Sequence, residues 1–541
     1  MGGRPSDPPF DVAVVGSGPA GLAIVSRLVG RGLSLALIEA GSRRRDREDE
    51  EDSLGAESLS GHGHPAAHLF RRRMLGGAST VWGGRCIPFD RIDFRSGGGG
   101  IGWPVDPGEI ERHLPAAADF LDCGAPEFDE AAFDRPLRLN RAEAVDLELD
   151  TIERFSRPTD LWEKLRPSLE ARRDLRVLAG HLVTSVELFP DGSRVEGLRL
   201  VDRASGIRSY LRARHVVLAC GGIETARLLL ASRTVRLEGI GNHSDHLGRH
   251  YMTHVIGDVG ELHLTSAIEG GKIDYRRTRD GVYGRSLIRL TDACRQRDRL
   301  PNALWRPAPP PSWNAAHCDP ILSAVHLAKL LLPKEYQLGL AGAAALPPPS
   351  EILAHLGNIL REPVDVAAFL PRILCWRVLA RRKLPSVFLI RRDRRYRLEM
   401  NAEQMPDPHS RITLGTTRDR WGMPRIRLHW HLDPATLSGV QANLARLEAQ
   451  VEASGIGQFR WSPDTVEQAL GAQGGHHIGT ARMSARPEEG VVDPDGTVWG
   501  VPNLHLAGAA VFPTSGAVNP TLLLTCLAFR LAGHLGRRLT G

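Results

Sequence analysis

The stretch FDVAVVGSGPAGLAIVSRLVGRGLSLALIEAG, Phe10 to Gly41, constrains the fold more than any other part of the chain. Val12 to Val15 form a short apolar, largely β-branched run of the kind a buried parallel strand shows. Gly16, Gly18 and Gly21 follow in the spacing GxGxxG. The first glycine permits a tight turn, the second lets a pyrophosphate approach the backbone, and the third lets helix and strand pack closely. After Pro19, Ala20 to Leu28 continue as an apolar helix whose N-terminal amides and dipole would face phosphates. A second strand, Leu35 to Ile38, runs into Glu39 and Ala40. An acidic residue about twenty positions past the glycines accepts hydrogen bonds from the ribose hydroxyls of an adenosine. These residues predict an α/β fold built on a dinucleotide-binding unit. The unit alone does not separate FAD from NAD; its place near the N-terminus, with the rest of the chain left to wrap the cofactor, favours FAD.

At 541 residues the chain is too long for one simple core, so two or more interleaved domains are expected. The formal net charge is +6, and all but five of the 69 basic residues are arginine. No nucleic-acid-binding motif accompanies that charge, so a nucleic-acid partner is not expected. Seven cysteines are scattered without a CxxC pair, which argues for reduced thiols and against a metal cluster. The opening MGGRPSDPPF lacks the basic-then-apolar pattern of a secretory signal, and no stretch approaches the length of a membrane span. A cytoplasmic protein is the expectation. The run Arg43 to Asp52 reads as a solvated, charged loop.

Further motifs narrow the class. RMLGGASTVWGGRCIPFDRIDF, Arg73 to Phe94, packs Gly76, Gly77, Gly83 and Gly84 around Ser79, Thr80 and Trp82, a loop that brings backbone amides close to something flat or charged. GWPVDPGEIERHLPAAADFL follows at Gly102 to Leu121, GHLVTSVEL at Gly180 to Leu188, and HVVLACGGIETARLLLAS at His215 to Ser232. PDPHSRITL stands at Pro406 to Leu414, GGHHIGTARMS at Gly474 to Ser484, and a closing segment at Gly490 to Leu535. In this order the motifs resemble those of the glucose–methanol–choline (GMC) oxidoreductases, FAD enzymes that oxidise alcohols. The resemblance covers nearly the whole chain except its middle.

The resemblance implies a Rossmann-like FAD-binding domain assembled from residues 1–100, 170–255 and 476–541. It implies an α+β substrate-binding domain with an antiparallel sheet, from 101–169 and 256–475. Cofactor contacts are implied at Gly16, Gly18, Pro19, Ala20, Gly21, Glu39, Ala40, Gly76, Gly77, Ser79, Thr80 and Trp82. Val183, Gly221, Gly508, Ala509, Asn519, Pro520 and Thr521 complete that set, and no metal is expected. Where a relative carries a histidine covalently joined to the flavin, this chain has Val81, so FAD is expected to be held non-covalently.

Removing a hydroxyl proton needs a neutral base with a pKa near the working pH, and histidine is the natural choice. The family's catalytic histidine precedes a Gly-Thr by three residues, which places His476 in that role beside Gly479 and Thr480. His477 is expected to turn elsewhere. Asn519 stands where relatives have His or Asn; it would hold the substrate hydroxyl, and Asn-Pro is also an ordinary helix start. The four-histidine stretch Asn242 to His254 lacks zinc spacing, so no metal is expected there; His254 could approach the substrate cavity, but no role is assigned to it. The pairing of HHIGT with NPT looks closest to sugar- and polyol-oxidising members. A small-molecule sugar, glycoside, aminoglycoside or polyol is the expected substrate. A steroid or aliphatic alcohol, or a non-redox flavoprotein or lyase, shares the same motifs. The electron acceptor (oxygen, a quinone or a protein) is left open by the sequence. Residues 300–397 read as a helical insertion, a lid or entrance wall; its basic amphipathic piece, Arg372 to Arg395, admits another, less favoured reading, contact with a membrane surface or a partner protein.

Overall fold

A computed structural model describes residues 8–95, 102–136, 146–156, 160–265, 273–330, 350–386, 388–391 and 393–540. Strand β1 (Phe10–Val15), helix α1 (Pro19–Leu28) and strand β2 (Leu35–Glu39) form where the opening motif places them. Val12, Ala13 and Val14 are fully buried, as befits a central strand covered on both faces.

Seven strands make the first sheet, in the order Leu175–Ala179, β2, β1, Arg208–Leu218, Val195–Asp202 and His181–Leu188, with Leu504–Leu506 beside Arg208–Leu218. β1 pairs in parallel with β2 and with the second half of Arg208–Leu218, whose first half pairs antiparallel with Val195–Asp202. That long strand therefore joins the parallel sheet to an antiparallel flap. The last helix, Thr521–Thr540, packs on α1, with the Arg27 guanidinium 4.3 Å from the Phe529 ring centroid. The two ends of the chain meet there. Trp103, Ile110, Phe120, Leu161 and Trp162 pack into the same core.

A second sheet runs Ala303–Ala308, Arg395–Ala402, Val255–Leu264 and Gly457–Arg460, antiparallel throughout. Its core joins Val259, Trp305 and Met400 to Val440, Leu444 and Leu447 of the helix Pro434–Ala453. The expected insertion is narrower than 300–397, because the strands at both its ends pair with each other as sheet. Between them stand the helices Pro320–Leu330, Ser350–Arg361 and Pro363–Ile373. The part of the expected insertion at 331–349, with the prolines of ALPPPSEIL that the sequence reads as an extended connection, lies outside the described residues.

One local expectation is overturned. The charge run is not a solvated loop: Arg47–Leu54 is a helix capped by the Asp46 side chain, with Asp49 and Glu50 buried. Asp49 pairs with Arg203 and accepts from Trp421 Nε1 at 2.7 Å, and Glu50 accepts from the Arg73 amide at 2.8 Å. These partners lie far away in sequence, so spacing within the run holds no sign of them.

The glycine turn divides into packed and open positions. A Cβ on Gly21 would lie 1.9 Å from the Gly16 carbonyl oxygen, whereas one on Gly18 would meet nothing within 4 Å. Gly18 has φ −69° and ψ −178°, which alanine adopts freely. Gly21→Ala should therefore destabilise the protein by about 3 kcal/mol, the upper range for overpacking. Gly18→Ala should stay within about 1 kcal/mol of the parent. Urea unfolding of the two variants measures the contrast; equal losses would contradict this packing.

Candidate active site

The loop Gly474 to Ser484 is fixed by its neighbours, not by regular structure of its own. The amides of Gly479, Ala481 and Met483 donate to the carbonyls of Ala509, Ala510 and Val511 at 3.0, 2.8 and 2.8 Å. Met252 and Ile478 exchange two backbone hydrogen bonds, both 3.0 Å, which sets His254 beside His476. Thr480 Oγ1 donates to the Gly222 carbonyl at 2.7 Å. A Cβ on Gly222 would sit 2.2 Å from the His477 carbonyl oxygen, so only glycine fits that approach. The first bond of the last helix, from the Leu524 amide, is accepted by the Pro520 carbonyl. Asn519 thus stands just outside the helix, facing the loop.

Three side chains converge there. His476 Nδ1 lies 2.6 Å from His254 Nδ1, His254 Nε2 lies 3.0 Å from the Ser515 carbonyl oxygen, and Asn519 Nδ2 lies 3.0 Å from His476 Nε2. The two imidazoles meet edge to face at 85°, centroids 4.7 Å apart. A carbonyl only accepts, so His254 Nε2 carries a proton. In the neutral ring His254 Nδ1 is then a bare acceptor, and His476 Nδ1 must donate to it. Neutral His476 is left with its lone pair on Nε2, and Asn519 donates to that lone pair through Nδ2. The Asn519 Oδ1 is buried without a partner. Ordinarily such an acceptor finds a donor.

Electrostatics holds these rings neutral. His476 is pushed well below the usual histidine range, first by burial and then by His254, His477, Arg85 and Arg306. His254 falls to about 4, chiefly by burial, with the Ser515 carbonyl opposing and Arg306 adding. His477 turns the other way: its Nδ1 meets the Tyr251 hydroxyl at 2.8 Å, and that hydroxyl meets His64 Nε2 at 2.9 Å. Burial lowers His477 as well. His254 is the residue that sequence reasoning passed over. Its signal, a histidine closing LGRHYMTH, becomes legible only when the backbone bridge to Ile478 sets it against His476.

Most of the nucleotide-binding expectations gather at the C-terminal ends of β1, β2 and Arg208–Leu218. The buried Glu39 carboxylate accepts from the Ser17 amide at 2.9 Å, the Ser17 hydroxyl at 2.8 Å and the Gly41 amide at 2.9 Å. The Ser17 hydroxyl in turn accepts from the Gly76 amide at 3.2 Å, which draws the Gly76-Gly77 loop over the turn. A Cβ on Gly77 would lie 2.9 Å from Gly18 Cα. Added Cβ atoms on Gly18, Gly221 and Gly508 would meet no protein atom within 4 Å, so these backbones border open space. Pro19 and Ala20 open α1 onto the same turn. The Ala40 carbonyl accepts from Arg203, and Val183 lies buried in its strand. Ser79 and Thr80 spend their hydroxyls on the carbonyls of Gly76 and Gly77, at 2.6 and 2.9 Å, and so shape the loop. Trp82 is half-buried beside it, and Ala509 holds the histidine loop through its carbonyl. Pro520 and Thr521 start the last helix. Beyond β2 a cavity of about 430 Å³ is lined by Ser42, Leu75, Trp162, Val177 and Ala179. No group of three or more potential ligands that could hold a metal ion occurs among the described residues.

A parallel sheet with a glycine turn, an acidic strand end, open backbone at two further glycines and a neutral histidine pair defines a dinucleotide-dependent oxidoreductase. The open glycine backbones and the buried, hydrogen-bonded Glu39 fit FAD. Comparison with known proteins narrows the class. Residues 406–528 match the GMC oxidoreductase family model. The 6'''-hydroxyparomomycin C oxidase of Streptomyces lividus is 25% identical over 98% of this chain and 92% of its own length. The 2-methyl-1,2-propanediol dehydrogenase of Mycolicibacterium austroafricanum is 22% identical over 98% of this chain and 95% of its own. Among solved structures, pyridoxine 4-oxidase from Mesorbium loti superposes with a TM-score of 0.53 and 18% identity, covering 97% of this chain and 99% of that one. The chain is thus similar to the GMC oxidoreductases, FAD flavoproteins that act on alcohols, through the match at residues 406–528 and through relatives that span nearly its whole length.

Histidines whose folded pKa is depressed bind protons more readily in the unfolded chain. Stability from keeping His254, His476 and His477 neutral is therefore full above about pH 6.5, the unfolded value, and is lost as pH falls toward the folded values. The melting temperature should drop on acidification from about pH 7 to about pH 4.5, and the drop should shrink in His254→Gln, which buries no titratable ring. Thermal scans across that range check it; a flat profile would contradict it.

Proposed function

We propose that the protein oxidises a CH–OH group of a sugar, glycoside, aminoglycoside or polyol to the carbonyl, with His476 Nε2 as the base. The carrying observation is the His254–His476–Asn519 constellation, in which Nε2 is the unprotonated nitrogen of His476 at neutral pH and meets only the Asn519 amide. When bound, FAD supplies the hydride acceptor. The substrate hydroxyl enters between His476 Nε2 and Asn519 Nδ2, donating to the first and accepting from the second. As the proton moves to Nε2, the Asn519 amide steadies the negative charge that grows on the oxygen. The resulting imidazolium keeps its Nδ1 proton on His254, which stays neutral and adds no like charge.

The substrate class has two supports. The unpartnered Asn519 Oδ1 suits a second hydroxyl beside the reacting one, as polyols and sugars provide and simple alcohols do not. The relatives that span nearly the whole chain are named for a paromomycin-type compound and for a diol.

His254 is a positioning residue. By accepting from His476 Nδ1 it holds the tautomer that leaves Nε2 bare, a job that needs an acceptor facing His476 and a donor facing Ser515. FAD is bound without a covalent link at this loop, since Val81 offers no nucleophile, and it is held by the residues named above at the Gly18, Gly76-Gly77, Gly221 and Gly508 backbones. We assign those segments, with the helices at 107–120 and 161–170 that share their core, to the FAD-binding part; the sheet around Val255–Leu264 belongs to the substrate part.

Acid precipitation should release the yellow flavin into solution, and Gly18→Ala should weaken FAD binding about tenfold by crowding the pyrophosphate. In anaerobic reduction by a polyol or glycoside panel, His476→Ala should slow flavin reduction by about 10²- to 10⁴-fold. Undiminished reduction would remove His476 from the mechanism. His254→Leu should lower the pH-independent plateau of kcat/KM by about 10- to 100-fold and move its acid limb, with FAD content unchanged. His254→Gln, whose amide both accepts and donates, should recover most of the loss. If His476→Ala is dead and His254→Leu retains the parental plateau and pH profile, the base stands and the positioning role falls.

A further inference from the structure

Two of the helices between the two paired strands, Ser350–Arg361 and Pro363–Ile373, turn apolar side chains outward. In Ser350–Arg361 the buried side chains are polar: His355 is fully enclosed, its Nδ1 3.1 Å from Ser323 Oγ and its Nε2 3.1 Å from the Trp313 carbonyl oxygen. Asn358 donates to the Ala315 carbonyl at 2.9 Å and to Ser323 Oγ at 3.1 Å. The same helix turns Leu353 and Leu360 outward at 75% and 77% exposure. The next helix, Pro363–Ile373, has the sequence PVDVAAFLPRI and buries none of its residues. Val364, Leu370, Leu374 and Leu379 continue the exposed row.

Thirteen large apolar side chains are exposed among the described residues, and nine of them fall within 352–379. Scattered exposed leucines need no explanation, but a contiguous row on successive helices marks a surface that meets an apolar phase. Charge states which one. From 350 to 395 the sequence carries ten arginines or lysines against four acidic residues. Arg361, Arg372, Arg377, Arg381 and Lys383 are exposed along the same helices and the stretch that follows. The Arg372 guanidinium lies 4.3 Å from the Trp376 ring centroid, and Trp376 is itself exposed. Apolar side chains bordered by arginine and tryptophan are the composition of helices that lie in a bilayer interface. A second copy of the chain is disfavoured, because a two-fold axis would set this basic patch against itself. No helix among the described residues is long and apolar enough to cross a membrane, so the contact is with one leaflet.

We propose that residues 350–383 form a docking surface for an anionic lipid bilayer. The apolar row enters the acyl boundary, and the arginines and Lys383 meet the acidic headgroups. The substrate part of the enzyme is thereby held at the membrane while its FAD-binding part remains in water. This revises the sequence reading of the segment as a lid, and it rests on no assumption about the alcohol oxidised.

The test uses the full-length holoenzyme and vesicles of phosphatidylcholine with about 30% phosphatidylserine, at about 0.15 M salt. The protein should sediment with these vesicles and remain in solution with phosphatidylcholine alone. Leu353→Glu combined with Leu360→Glu should reduce the bound fraction about tenfold while FAD content and turnover of a soluble alcohol stay at parental values. A solvent-sensitive dye on the exposed Cys375, in a Cys318→Ser background, should shift to the blue on adding anionic vesicles. No sedimentation with anionic vesicles overturns the proposal. So does equal binding by the double variant, or a self-associated species in light scattering that Leu353→Glu with Leu360→Glu abolishes without any vesicle binding by the parent.

Discussion

The Ser17 hydroxyl, donating to Glu39 and accepting from Gly76, is the contact on which the cofactor half of the molecule depends. A buried carboxylate is costly unless hydrogen bonds surround it. Burial pushes the Glu39 pKa up, while the Gly41 and Ser17 amides and the Ser17 hydroxyl pull it down. Satisfying that one group fixes the end of β2, the turn after β1 and the loop at Gly76 in a single geometry. The close approach of Gly21 to Gly16 then sets how near α1 lies to β1. Together these contacts leave bare backbone at the C-terminal ends of the central strands, as the approach of a pyrophosphate requires.

The histidine loop obeys the same logic at the other end of the chain. Its flexible glycines are held by strand-like bonds to Ala509, Ala510 and Val511, and a two-bond bridge joins it to Met252. Flexibility of composition and rigidity of position coexist because the constraint comes from neighbours. Burial and the positive charges of Arg85 and Arg306 keep the imidazoles neutral. A neutral chain of donors and acceptors starting at a carbonyl has one proton arrangement, and it leaves the lone pair on His476 Nε2.

Several of the abundant arginines serve as internal scaffolding. Arg227 reaches the Ser53 carbonyl at 2.6 Å and Asp419 at 2.7 Å while buried. Arg306 forks onto the fully buried Glu153 at 2.7 and 2.9 Å. Arg154 bonds the carbonyl of Cys123 at 2.8 Å and an Asp280 oxygen at 2.6 Å. Planar guanidinium groups with several donors suit such sites better than lysine does. Formal net charge is therefore a poor guide to this surface, and the local excess of exposed arginine on the helices around 361–383 carries more meaning than the total.

The dinucleotide unit was legible in the residues alone, because its glycines, strand and acidic terminus act locally and at fixed spacing. His476, Gly479, Thr480 and Asn519 were singled out by the resemblance, and the fold brings Asn519 Nδ2 within 3.0 Å of His476 Nε2. Three things were decided only by tertiary structure: the partner of His476, the burial of Asp49 and Glu50, and the outward apolar face of 350–379. Each depends on groups brought together from distant positions, His254 to His476, Arg203 to Asp49, Trp313 to His355. A linear sequence records which side chains exist and how they repeat. Which of them lose water, and against whom, is settled when the chain closes on itself.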